Sequence, residues 1–203
     1  VRVLVACEFS GIVRDAFAKC GHDAWSCDLL PSEKPGKHIQ DDVRDVLDDG
    51  WDLMIAFPPC TFLANSGVRW LWEDSNYMLA SERWEKLCEA AKFFKKLLFF
   101  NGIPHIAIEN PIPHKYALAM IGIKYDQVIQ PYQFGEPYSK ATCLWLRNLP
   151  KLKPTKFIPK NRVLQQVWKE PPSKERWKNR SRTYPGIAMA MAEQWGQALE
   201  SGR

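Results

Sequence analysis

Val3-Leu4-Val5-Ala6-Cys7-Glu8-Phe9-Ser10-Gly11 decides how the rest of the chain is read. Four apolar residues, two of them β-branched, describe a strand buried on both faces. The next four are polar or aromatic, and the Gly supplies a tight turn. Beyond it, Ile12, Val13, Ala16 and Phe17 recur at helical spacing until Gly21. Strand, glycine turn and helix make the opening of a βαβ unit. Such a turn lets a ligand approach the backbone and the helix N-terminus. It lacks the spacing G-x-G-x-x-G and the G-K-[ST] of a P-loop, so neither a dinucleotide nor a P-loop nucleotide site is expected.

The alternation continues outward. Strands are expected at 22–28, 39–43, 52–57, 104–108, 126–131 and 141–146. Helices are expected at 76–100, 114–121 and 186–199. The long helix would turn Met78, Trp84, Leu87, Cys88, Ala91, Phe94 and Leu98 inward. Strands alternating with helices predict an α/β fold, a mostly parallel sheet with helices on both faces. Ligands of such sheets sit at the carboxyl ends of the strands. The chain's polar punctuation falls there: Glu8-Phe9-Ser10-Gly11, Asp28, Asp42, Pro58-Pro59-Cys60 and Glu109-Asn110-Pro111.

Several of these residues carry chemistry. Asp28, at a strand end, can accept both hydroxyls of a ribose or simply cap a turn. Cys60 follows two prolines that stiffen the backbone and fix where the thiol points; a nucleophile there needs surroundings that favour thiolate. The C-x-x-x-x-x-R phosphate loop is excluded, because Ser66 stands where its Arg would be. Glu109 ends an apolar strand and reads equally as a desolvated proton donor or as an exposed cap.

The 203 residues carry a net charge of +5, distributed unevenly. Between Lys151 and Thr183 there are 11 basic residues against two acidic ones, leaving the remainder net acidic. Trp168 and Trp177 interleave with those charges. The segment reads as a solvated loop or as a phosphate-binding surface. The six cysteines form no C-x-x-C pair and no metal site is expected. Apolar runs such as Leu97-Leu98-Phe99-Phe100 are too short to span a bilayer, so no membrane association and a reduced, cytoplasmic protein are expected. The absence of an initial Met suggests that the chain begins inside a longer product.

Taken together, these motifs resemble the DNA cytosine carbon-5 methyltransferase family, in a small, phage-like form. Val5 to Gly11 is similar to its first motif, Asp42-Val43 to its D-[IV] motif, Phe57-Pro58-Pro59-Cys60 with Ser66-Gly67 to its P-C loop, and Glu109-Asn110 to its E-N-V motif. Amino-methyltransferases share the prolines but place an aromatic where Cys60 stands. Tyr138, Lys140 and Thr142 occupy the positions of a Q-x-R-x-R motif. Pro185-Gly186 loosely matches the last motif.

The resemblance implies a Rossmann-like methyltransferase fold and the cofactor S-adenosyl-L-methionine. It places the cofactor on Ala6, Cys7, Glu8, Phe9, Ser10, Gly11, Asp28, Leu29, Asp42, Val43 and Pro58. Catalysis falls to Cys60 as nucleophile and Glu109 as acid. The substrate, cytosine in DNA, would be held by Ser66, Asn110, Lys140 and Thr142. From the basic segment, Lys174, Arg176, Trp177, Lys178 and Arg180 would contribute. Residues 1–150 would form the catalytic core, 151–184 would stand in place of a target-recognition domain, and 185–203 would return to the core. The rival readings are the same chemistry on RNA or a free nucleotide, and a non-enzymatic nucleic-acid-binding protein on this fold.

Overall fold

The computed structural model describes residues 1–73, 78–79, 81–164, 173 and 175–201. Lys174, Trp168 and the start of the expected helix at 76–100 lie outside the described residues. The strands are β1 (Arg2–Ala6), β2 (Asp23–Asp28), β3 (His38–Gln40), β4 (Leu53–Ala56), β5 (Trp72–Glu73), β6 (Met78–Leu79), β7 (His105–Pro111), β8 (Gln127–Ile129) and β9 (Thr142–Arg147). The helices are α1 (Ile12–Lys19), α2 (Ser81–Leu98), α3 (Lys115–Ile121), α4 (Arg176–Ser181) and α5 (Pro185–Ser201).

Seven strands form one sheet in the order β3-β2-β1-β4-β7-β9-β8. Val3 pairs with Ala24 on one side and Leu53 on the other, both in parallel. β7 continues parallel to β4, while β9 runs antiparallel to both β7 and β8. This is the α/β fold with a mostly parallel sheet expected from the alternation of elements.

Successive side chains of the central strands point to opposite faces. Leu4, Met54, Ile106 and Ile108 join the core under α2 and α3. Val3, Val5, Leu53, Ile55 and Ala107 join the core under α1 and α5. Both faces are therefore covered, which explains why these strands are apolar at every position. Leu87, Ala91, Phe94 and Leu98 of α2 are buried as their spacing predicts. Trp84 and Cys88 are half-buried, with Trp84 packed against that core. Among the described residues, no helix is long and apolar enough to cross a membrane.

Three boundaries differ from the sequence expectation. The helix of 76–100 begins at Ser81, because Met78 and Leu79 pair with Trp72 and Glu73 in a small antiparallel hairpin. The strand of 39–43 ends at Gln40; Asp42 instead caps the single 3-10 turn Val43–Asp45, its carboxylate accepting from the Arg44 N–H at 2.9 Å. β7 runs on through Glu109, Asn110 and Pro111, which pair with Leu144, Cys143 and Thr142 of β9. The acidic end of β7 is therefore held in the sheet and is not a loop.

The C-terminal helix closes against the sheet through a backbone contact that only glycine permits. A Cβ on Gly186 would overlap the Phe134 carbonyl oxygen. The Gly186 N–H donates to Glu136 Oε1 at 3.2 Å. Gly186→Ala is therefore expected to cost about 1–3 kcal/mol, the usual range for overpacking. Urea unfolding should show a lower midpoint at unchanged slope; an unchanged midpoint would show that α5 docks by another route.

Candidate functional site

The polar residues singled out at strand ends fall along the carboxyl edge of the sheet, where β1 lies between β2 and β4. The chain after β1 is held by charge. Cys7 adopts a left-handed backbone, φ 59°, and Gly11 another, φ 70°. Between them the Glu8 carboxylate turns back onto α1, accepting from the Val13 N–H at 2.7 Å and the Arg14 N–H at 3.2 Å. Two otherwise unpaired helix-end donors are thus satisfied. The Glu8 carboxylate is therefore a helix cap, and ligand contacts from this turn are left to its backbone and to Phe9 and Ser10.

Two neighbouring cavities open at this edge, and both are lined by Cys7 and Pro59. The larger, about 610 Å³, is walled by Asp28, Leu29, Asp42, Val43 and Arg44, with Glu89, Lys92, Phe93 and Lys96 of α2 opposite. Asp28 Oδ1 accepts from the Leu30 N–H at 2.9 Å. Burial holds the Asp28 carboxyl above the usual range, with the Leu30 N–H and His38 opposing. Leu29 is 71% exposed and offers an apolar wall. Asp42 is engaged by Arg44, whose guanidinium and backbone N–H bring its carboxyl down to about 2.

The smaller cavity, about 100 Å³, is where the candidate chemistry meets. Glu8, Phe9, Ser10, Pro58, Cys60, Glu109, Lys140 and Arg180 all line it. Cys60 begins a turn, its carbonyl accepting from Leu63 and Ala64 N–H groups at 3.0 and 2.9 Å. Burial pushes its thiol up and the Glu109 carboxyl pushes it further, while Lys140 and Arg180 pull it down. Glu109 is itself raised by burial, with Lys140 and the Thr142 hydroxyl opposing. A raised thiol beside a raised carboxyl means that the pair favours carrying one negative charge over two.

Asn110 does not face this cavity openly. It is 1% exposed, and its Nδ2 donates to the Pro58 carbonyl at 3.2 Å while its Oδ1 has no partner. It ties the Pro58-Pro59-Cys60 turn to β7, a structural contribution where substrate contact was expected. Thr142 is buried beside Glu109. Tyr138 stacks on Tyr184 at 5.3 Å and lines neither cavity. Ser66 is exposed in the 3-10 segment Asn65–Leu71 and also lines neither, so the fold does not bring it to the others. Ala6 is fully buried in β1, and Gly11 stands behind the turn at the start of α1.

The described parts of the basic segment lie on the core. Backbone bonds join Thr155, Lys156 and Ile158 to Gln133 and Tyr132, and Leu164 to Pro137. α4 then crosses the smaller cavity. Trp177 is 54% exposed yet meets Phe9, ring centres 5.9 Å apart. Lys178 pairs with Glu175 at 3.0 Å, the Arg176 Nε is buried without a partner, and Arg180 reaches the cavity of Cys60.

Sequence reading missed two parts of this edge. One is the polar wall of α2; Glu89, Lys92, Phe93 and Lys96 recur at helical spacing, but only the apolar face of that helix had been followed. The other is Arg14, 1% exposed, whose guanidinium donates to Ser26 and Ser32 hydroxyls at 3.2 and 3.0 Å and to the Pro35 carbonyl at 3.0 Å. A charged residue inside the apolar run Ile12-Val13 and Ala16-Phe17 was the available signal.

No protein-family model and no curated protein matches this sequence. Among solved structures, the chain is similar to an E. coli prophage protein assigned as a DNA modification methyltransferase, at 14% identity over 78% of this chain and 52% of that one, TM-score 0.46. It is similar to an Entamoeba histolytica methyltransferase at 17% identity over 78% and 57%, TM-score 0.48. It is similar to the S. pombe Dnmt2 methyltransferase at 18% identity over 74% and 51%, TM-score 0.41. The chain spans about half the length of these proteins. At such scores the likeness is one of outline, and no chemistry follows from it.

The charges around Cys60 set the pH at which its thiol reacts. Glu109→Gln removes a group that raises it, so iodoacetamide labelling of Cys60, followed by peptide mass spectrometry, should reach half-maximum at lower pH. Lys140→Met removes a group that lowers it and should move the midpoint upward. Identical midpoints in all three proteins would mean that these side chains do not sense one another.

Proposed function

We propose that this chain is a methyltransferase that acts on carbon 5 of cytosine in DNA, a member of the family its motifs resemble. The observation that carries the reading is the convergence of Cys60, Glu109, Lys140 and Arg180 in one cavity that shares Cys7 and Pro59 with a larger, acid-walled neighbour. The larger cavity lies within the size range of cofactor sites, about 300–1,000 Å³. Its donor set suits S-adenosyl-L-methionine. Asp28 presents a carboxyl for ribose hydroxyls, Leu29 and Phe93 offer apolar walls for a base, and the left-handed turn at Cys7 leaves backbone groups near the junction of the cavities. The Asp42 carboxylate, held by Arg44, would contact the adenine side. When bound, the cofactor supplies the methyl group that carbon 5 takes.

The protein's own residues then have separable tasks. Cytosine carbon 5 is a weak nucleophile. The Cys60 thiolate adds to carbon 6, and the electron pair of the double bond moves to carbon 5. Glu109, whose carboxyl burial pushes toward the protonated form, donates to ring nitrogen 3 and stabilises charge as it develops. Lys140, near both groups, offsets the negative charge that the thiolate brings. After carbon 5 is methylated, a water molecule takes its proton, the pair of that C–H bond re-forms the double bond to carbon 6, and the sulfur–carbon 6 bond breaks with its pair returning to Cys60 as thiolate. A base paired inside a duplex cannot reach such a pocket, so it must be flipped out. The basic segment supplies phosphate contacts, with binding that weakens as salt rises.

A methyl-transfer assay with labelled cofactor over duplex DNA, RNA and free nucleotides tests the reading. Incorporation into carbon 5 of DNA cytosine is expected. Asp28→Ala should weaken cofactor binding by about 1.5–3 kcal/mol in calorimetry, as one charge-assisted hydrogen bond is lost. Transfer to RNA or nucleotide alone would reassign the substrate. No transfer to any of them, with salt-dependent nucleic-acid binding intact, would favour a binding protein.

A further inference from the structure

The Cys60 cavity is closed on one side by residues that belong to neither strand end. Arg180, Ser181, Arg182 and Thr183 line it, contributed by α4 and the turn that follows. Three contacts hold this strap down. Phe9 meets Trp177, the Lys140 ammonium donates to the Arg182 carbonyl at 3.2 Å, and Arg182 is clamped by Glu33. The clamp is two-pronged: Arg182 Nε donates to Glu33 Oε2 at 3.1 Å and its terminal nitrogen to Oε1 at 2.6 Å. Both side chains are about one third exposed, so the pair is within reach of solvent and competitors.

Glu33 is not free to follow the strap. Its N–H donates to the Phe9 carbonyl at 2.8 Å, fixing it to the turn after β1. The residues beside it, Ser32, Lys34 and Pro35, all receive hydrogen bonds from the buried Arg14 guanidinium. Gly36 completes this seat, since a Cβ there would press on the same guanidinium. An anchor tied to the core thus carries one carboxylate, and that carboxylate holds the basic strap of 175–184.

With the strap in place the cavity measures about 100 Å³. A dry cavity of about 150 Å³ accommodates benzene. The space beside Cys60 is therefore smaller than one that holds a six-membered ring. We propose that Glu33 is a positioning residue: acting through Arg182, it holds the strap across the Cys60 cavity, brings Arg180 to the thiol, and has to be released before a nucleobase enters. The natural competitor is a nucleic-acid phosphate, which matches the guanidinium fork as a carboxylate does. The proposal rests on the methyl-transfer reading for the identity of the entering base. The latch itself rests on the contacts.

Two quantities change together when the strap lifts. The thiol becomes easier to reach, and it loses the Arg180 cation. Arg182 also lines the cavity and leaves with the strap, while Cys7, Glu8, Glu109 and Lys140 belong to the core. Withdrawal of the cations raises the pH at which the thiol ionises, but the water admitted relieves burial, the largest influence on it, and lowers that pH. The labelling rate, and not the midpoint, therefore reports on the strap.

The test measures N-ethylmaleimide labelling of each cysteine against pH, by peptide mass spectrometry, with no cofactor or nucleic acid present. Glu33→Ala should raise the limiting Cys60 rate about fivefold, as expected for the loss of a well-aligned, partly exposed pair. Cys20, at the C-terminal cap of α1, should keep its rate. Arg182→Glu should do the same by repulsion. The exchange Glu33→Arg with Arg182→Glu should restore the wild-type rate, which also controls for folding. An unchanged Cys60 profile in both single variants would overturn the latch. So would a double exchange that behaves like the singles. None of these outcomes depends on methyl transfer, so the latch and the proposed activity fail separately.

Discussion

β1 pairs in parallel with β2 on one side and β4 on the other, and the rest of the molecule follows from that arrangement. The crossover after β1 leads toward β2 and β3, and the later one leads toward β4 and β7. The connections therefore part above the carboxyl ends of β1 and β4, leaving a crevice that residues 180–183 partly cover. Cys7, Asp28, Pro59, Cys60 and Glu109 reach that crevice from four different strands. Residues up to a hundred positions apart in the chain are brought together by strand pairing alone.

Electrostatics then divides the crevice. On the β2 side, carboxyl groups stand with few cations near the cavity mouth other than Arg44 and the two lysines of α2. On the β7 side, a thiol and a carboxyl face Lys140 and Arg180. The first arrangement suits a ligand rich in hydroxyls with a positive centre. The second suits chemistry in which a negative charge forms on sulfur and moves onto a ring. Glu8 and Arg14 are the buried polar groups beneath both. Glu8 secures the start of α1, and Arg14 secures the loop that carries Glu33, so the two halves of the crevice share a foundation.

The sheet was legible in the sequence because it is buried on both faces. Val3 to Ala6, Leu53 to Ala56 and Ile106 to Ile108 are apolar at every position, and only a covered parallel sheet requires that. The ends of elements were less legible. Asn110 carries a polar side chain inside a strand, and its hydrogen bond to Pro58 is a contact across 52 positions that no local pattern encodes. Asp42 looked like the end of a strand because Ile39 precedes it, yet its carboxylate is better satisfied by capping a turn with Arg44. At the site, Cys60 and Glu109 were visible from their setting, proline-stiffened in one case and strand-terminal in the other. Ser66 was named by motif spacing, and motif spacing cannot say which way a 3-10 segment turns. Glu33 was invisible, since its importance comes from a partner 149 positions away.

The central claim is that the Cys60 sulfur forms a bond to carbon 6 of a cytosine. Duplex DNA carrying 5-fluorocytosine, incubated with the protein and S-adenosyl-L-methionine, reports on it directly, because fluorine cannot leave carbon 5 as a proton does. The account predicts a covalent complex that survives denaturation, with peptide mass spectrometry placing the adduct on Cys60. An adduct on another cysteine, or methyl transfer that proceeds undiminished in Cys60→Ala, would contradict it.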